Sequence, residues 1–124
     1  MKKLVVLISL IVSFSVNSIA QVNYFTAYEL AIKVNGEWSD WENTNVRIKI
    51  DINNDRIIIY SNHIQIYDII SETTPPKDSN GSQLAFKFID QDGDIGTLRL
   101  RFQNNGTKQI YIDFNDVSWV YNIK

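Results

Sequence analysis

The sequence predicts an all-β domain: an antiparallel meander of about eight strands closing into a small up-and-down barrel, with a two-layer β-sandwich as the alternative. Three observations carry this. The chain after residue 20 is rich in Ile, Val, Tyr, Phe and Thr and broken by Asn, Asp and Gly, the composition of strands and tight turns. Apolar residues recur at every second position, as in "NVRIKIDI", where Val46, Ile48, Ile50 and Ile52 share one face and Arg47, Lys49 and Asp51 the other. No 3.6-residue period persists beside helix caps. Closure is preferred to a sandwich because it removes exposed strand edges.

The first element is not part of the domain. Lys2 and Lys3 precede an apolar run from Leu4 to Val16, too short for a comfortable membrane span, and Ser18-Ile19-Ala20 offers small residues for cleavage before Gln21. Residues 1–20 therefore read as a secretory signal peptide and 21–124 as a single β domain. With no cysteine, Gln21 cannot be lipidated as in a lipoprotein, and the fold has no disulfides to lean on. The expected location is outside the inner membrane, periplasmic or extracellular.

The strands follow in order, near 22–34, 45–52, 56–61, 64–71, 83–90, 95–103, 108–114 and 117–123. In the first, alternation places Val22, Tyr24, Tyr28, Leu30, Ile32 and Val34 on one face. Two longer connections interrupt the rhythm, 35–44 and 73–82, the second stiffened by Pro75-Pro76. In "VSWVYNI", Trp119 shares parity with Val117, Tyr121 and Ile123 and is expected in the core.

The stretch "DQDGDIG" (90–96) resembles the start of a calcium loop, making Asp90, Asp92 and Asp94 weak metal candidates. An EF-hand loop needs Gly at its sixth position and Glu at its twelfth, which here are Ile95 and Arg101. Face parity gives a structural reason for the same residues. The sets Leu84, Phe86, Phe88 and Leu98, Leu100, Phe102 both face the core only if the loop is Gln91-Asp92-Gly93. That loop sets Phe86 opposite Leu98 and Phe88 opposite Gly96, a type I turn with a G1 bulge and Gly93 in the left-handed region. The loop Asn104-Asn105-Gly106 solves the next hairpin likewise, pairing Leu100 with Ile110 and Leu98 with Ile112. Asn80-Gly81-Ser82 and Asn105-Gly106-Thr107 match the glycosylation pattern but read as turns.

Little catalytic chemistry is visible. His63 is the single histidine, no nucleophile-elbow motif or phosphate-binding glycine loop occurs, and one His without Cys makes a zinc site improbable. No cofactor is expected, and an enzyme ranks third among the function classes. The formal charge of −2 becomes two units more acidic without Lys2 and Lys3. This argues against nucleic acid and, once the signal is removed, against membranes. Trp38, Asp40 and Trp41 in "GEWSDWE" are the candidate ligand-binding residues. Exposed loop aromatics form sugar platforms and protein hot spots, whereas the simpler expectation is that they fold back and plug the barrel end.

The pieces "WSDWE", "RIIIYS", "QIYDII", "IDQDGD" and "DVSWVY" resemble a set of short exported proteins of gut-type Bacteroidetes. This resemblance implies export and class but no mechanism. Similarity to lipocalins is architectural: the nearest match to their G-x-W signature, Gly36-Glu37-Trp38, follows the first predicted strand. The expectation is a non-enzymatic exported binding protein, taking a small molecule, glycan or protein at one end of the barrel. Its alternative is an inhibitor or interaction protein that docks on an enzyme or envelope partner through 73–82.

Overall fold

The computed structural model describes residues 22–73 and 79–124. The expected signal segment and the Pro75-Pro76 pair of the long loop lie outside the described residues. The described chain forms β1 (Val22–Val34), β2 (Glu37–Trp38), β3 (Glu42–Asp51), β4 (Arg56–Tyr60), β5 (Gln65–Glu72), β6 (Gly81–Asp90), β7 (Ile95–Gln103), β8 (Lys108–Asp113) and β9 (Val117–Ile123). Successive long strands pair antiparallel, and β1 also pairs with β9, from Ala27↔Ile123 to Val34↔Val117. The result is a closed eight-stranded barrel, to which β2 adds a short flap on β1 at Lys33↔Trp38 and Val34↔Glu37.

The registers derived from parity are the observed ones. Phe86 faces Leu98, Leu84 faces Leu100, and Phe88 faces Gly96. Leu100 faces Ile110 and Leu98 faces Ile112. Gly93 and Gly106 take positive φ at 88° and 91°, as the bulged turns require. Gly96 matters for space: an added Cβ would lie 2.7 Å from Cζ of Phe88 and 2.9 Å from the carbonyl oxygen of Asp113.

The inward faces pack one continuous core, in which Ile48, Ile57, Ile59, Phe86, Phe88, Leu98, Ile110 and Ile112 are fully buried. Val46, Ile48 and Ile50 are buried as the alternation predicts. In β1 the expected face is wrong. A β-bulge between Ala27 and Glu29 shifts the register against both β3 and β9. Before the bulge the inward residues are Phe25 and Ala27, while Tyr24 is 51% exposed on the outside. After it Leu30 reaches the core. The extra residue reverses parity, so Tyr24 and Tyr28 do not share a face with Leu30. Outside, Tyr24 lies under the Arg47 guanidinium at 4.8 Å, a cation–π contact.

The β3–β4 turn holds a local conflict. Asp51 accepts the backbone N–H of Asn54 at 3.2 Å and its side-chain amide at 2.9 Å. Asp55 adopts φ 51°, and its Oδ1 is buried without a partner among the described residues. Burial, and then the Asp51 charge, push the Asp55 carboxyl above its ordinary value. A carboxyl raised in the folded state binds protons more readily there, so its ionisation costs stability as pH rises through that value. Asp55→Asn keeps a residue that tolerates the left-handed region and removes the charge. It is expected to stabilise the protein at neutral pH, with an advantage that shrinks in acid. Urea titrations of both proteins at pH 7 and pH 4 check this; an advantage that grows in acid would contradict it.

Candidate functional site

Strand lengths do not match around the barrel, and the site follows from that mismatch. The β4–β5 hairpin ends early: Arg47↔Tyr60 is the last β3–β4 pair, and residues 61–64 turn back at once. β3 continues beyond it to Glu42, held only by β1 through Asn43↔Glu29 and Glu42↔Leu30. The wall therefore has a notch beside Glu42–Val46. An open cavity of about 740 Å³ lies there, within the range of ligand pockets. Its walls are Leu30 and Ile32 from β1, Val46 from β3, Tyr60 from β4, and Trp119 and Tyr121 from β9, with Gln65 and His63 on the hairpin side. Two smaller grooves of about 370 and 250 Å³ open at the same end, and all three share Trp119.

Aromatic rings support the cavity from below. Tyr67 stacks on Phe88 with centroids 4.1 Å apart, and Phe114 meets both edge-on at 6.2 and 5.5 Å. Trp119 lies 5.7 Å from Phe114. Polar tips meet at Gln65. Its Oε1 accepts the Tyr67 hydroxyl, its amide donates to Ser61 Oγ at 3.0 Å, and Ser61 donates onward to the His63 carbonyl at 2.7 Å. Burial pushes the Tyr121 phenol up, against a smaller opposing influence of the Trp119 and Gln65 side chains. Burial, with Tyr121 and Asp90 nearby, pushes Tyr67 well above its ordinary range. Both therefore stay neutral at physiological pH. The cavity thus has apolar walls and an internally satisfied polar floor.

No protein-family model, curated protein or solved structure matches this chain. What the site can do must come from its own geometry.

Trp38 and Trp41 are each 45% exposed, so neither plugs the barrel end. Trp38, Asp40 and Trp41 do not line the cavity. Trp38 lies outside the barrel, with its edge towards Tyr111 at 6.4 Å and Lys33 5.7 Å from its ring. Arg99 covers Tyr111 at 4.2 Å and pairs with Asp113 at 2.8 Å. Beneath this ladder, Ala31 and Val120 are buried on the outer side of the sheet. Asp40 is exposed, and its carbonyl accepts the Ser39 hydroxyl.

The three aspartates belong to a turn. Asp90 Oδ1 accepts the backbone N–H groups of Asp92 and Asp94 at 2.9 and 2.8 Å, and the Asp90 N–H donates to the Asp94 carbonyl at 2.9 Å. Among the described residues no group of three or more Asp, Glu, His or Cys side chains is gathered to hold a metal. Asp90 is the turn-initiating residue whose carboxylate satisfies amides that would otherwise face the loop unpaired.

The cavity residues Tyr60, His63, Gln65, Trp119 and Tyr121 were not apparent as site residues. Parity correctly turns Trp119 and Tyr121 inward but does not say how high along the barrel they sit. The available signal was the brevity of the break between Tyr60 and Gln65 opposite the long first strand.

Proposed function

We propose that this is an exported, non-enzymatic binding protein that takes an amphipathic ligand into the open end of its barrel. The observation that carries this is the 740 Å³ cavity with its Leu30, Ile32 and Val46 walls, Tyr60 and Trp119 rings and hydrogen-bonded floor. Such a site rewards apolar burial, while its rim of Asn62, His63 and Thr44 leaves polar partners for the rest of the ligand. A binding role without catalysis agrees with the state of the nearest chemical groups. His63 is exposed, and the Ser61 hydroxyl is committed to a backbone carbonyl rather than to an imidazole.

The test uses the neutral fluorophore N-phenyl-1-naphthylamine. Its emission should rise on adding the protein. Ile32→Glu, at a wall position already 39% exposed, should weaken binding roughly tenfold or more by placing a charge against the apolar ligand, with an unchanged melting temperature. Trp38→Ala should leave binding as it is, because Trp38 faces away from the cavity. No emission change with the native protein, or equal loss from Trp38→Ala and Ile32→Glu, would overturn the cavity reading.

A further inference from the structure

Resting on that reading of the cavity, we propose that its occupant is an extended, basic amphipathic peptide segment that adds a strand to the Glu42–Val46 edge of β3 and lowers an apolar side chain into the cavity. The first support is the backbone. β3 pairs with β1 along one side, but its pairing with β4 begins only at Arg47. Among the described residues no backbone hydrogen bond reaches Glu42–Val46 from the notch side. In a strand, alternate residues aim their N–H and C=O groups to each side, so this edge offers donors and acceptors at strand spacing. An edge of this kind is a template for another strand. Val22–Phe25 of β1 are likewise paired on one side only, because the β1–β9 register begins at Ala27↔Ile123, but none of the three cavities is lined by them.

The second support is that edge and cavity are one feature. Thr44, Asn45 and Val46 belong both to the unpaired edge and to the cavity lining. A strand laid along them would point every second side chain into the space between Leu30, Tyr60 and Trp119. The floor asks for no polar group, since Gln65, Ser61 and Tyr67 already bond one another. The inserted side chain is therefore apolar or aromatic.

The third support is charge. The connections at this end of the barrel carry Asp40, Asp92, Asp94 and Asp116, with Glu37 in the β2 flap and Glu42 at the start of β3. Residues 34–46, 60–66, 88–98 and 112–120 contain no Lys or Arg. A rim of one sign around a concave apolar site favours a ligand of the other sign and repels an acidic one. Basic residues flanking the apolar one would lie over this rim.

The experiment follows the intrinsic tryptophan emission of the native protein while heptapeptides of alternating Lys and Phe, Lys and Leu, or Lys and Val are added. At least one should bind, weaken with added salt, and displace N-phenyl-1-naphthylamine. Its Lys→Glu analogue should not bind. Methylating the backbone nitrogens at alternate positions should weaken binding about tenfold or more in one of the two phases and little in the other, because only one phase donates to β3. Equal affinity for both phases would overturn strand addition. Binding of the Glu analogue as tightly as the Lys peptide would overturn the basic specificity. If the neutral fluorophore binds and no peptide does, the peptide inference fails while the cavity reading stands. If neither binds, both fail.

Discussion

Replacing Phe88 with alanine should cost about 3–5 kcal/mol, the usual range for emptying a buried aromatic position. Phe88 has no exposed surface, stacks on Tyr67, and meets the edge of Phe114. Its removal would also take away one face of the Tyr67 ring, whose hydroxyl is tied to Gln65 in the cavity floor. In a domain of about this size each kcal/mol shifts the midpoint by roughly 4–8 °C, so the melting temperature should fall by more than about 12 °C. Urea titration gives the free energy independently. A loss below about 1 kcal/mol would mean that the aromatic stack contributes little beyond surface coverage. Because the stack lies directly below the cavity, Phe88→Ala should also loosen the fluorophore site.

The second large effect is expected at Gly96, whose missing side chain is the space that Phe88 occupies. Gly96→Ala would bring a methyl group to 2.7 Å from the Phe88 ring and 2.9 Å from the Asp113 carbonyl. Overpacking of this kind costs about 1–3 kcal/mol. The two residues are cross-strand partners, so their effects should not add. In a Phe88→Leu background the ring atom that collides is gone, and Gly96→Ala should cost less than it does in the native protein. Part of the cost should persist, because the Asp113 carbonyl is backbone and cannot swing away. Additive losses in a double-mutant cycle would show that the glycine is needed for some other reason.

Much of this was legible in the chain. Both bulged hairpins followed from requiring that Leu84, Phe86 and Phe88 face the same way as Leu98 and Leu100 and their partners in β8. A strand with one dry and one wet side leaves only one register, and the glycines at 93 and 106 then fall where positive φ is needed. The same logic failed in β1 because both of its faces carry large apolar residues. Tyr24 and Tyr28 on one parity, and Phe25 and Ala27 on the other, make either choice self-consistent, and a bulge at residue 28 leaves no mark in such a pattern. The tryptophans show a different limit. Trp38 and Trp41 stand out in a polar stretch, but Trp38 turns to Lys33 on β1 and Tyr111 on β8. The cavity depends on β4 being shorter than the β3 segment beside it. That is a relation between elements, and no single residue announces it.

The seam between β1 and β9 has a kinetic consequence. Every other pairing of long strands joins elements that follow one another along the chain, through a tight turn or one of the two longer connections, whereas this seam joins positions about as far apart as the domain allows. The Glu29–Asn122 side-chain hydrogen bond, for example, spans 93 residues of sequence. Loop closure of that length is the costliest contact to form early. The hairpins of β6 to β9 can therefore assemble while β1 still waits for its last partner. Substitutions such as Ala31→Gly at the seam should then speed unfolding and leave the folding rate nearly untouched, whereas Leu98→Ala between the hairpins should slow folding. Stopped-flow rates showing the reverse order would place closure at the start of folding. The barrel would then be a chain of local turns that becomes one cooperative unit only when its two ends meet.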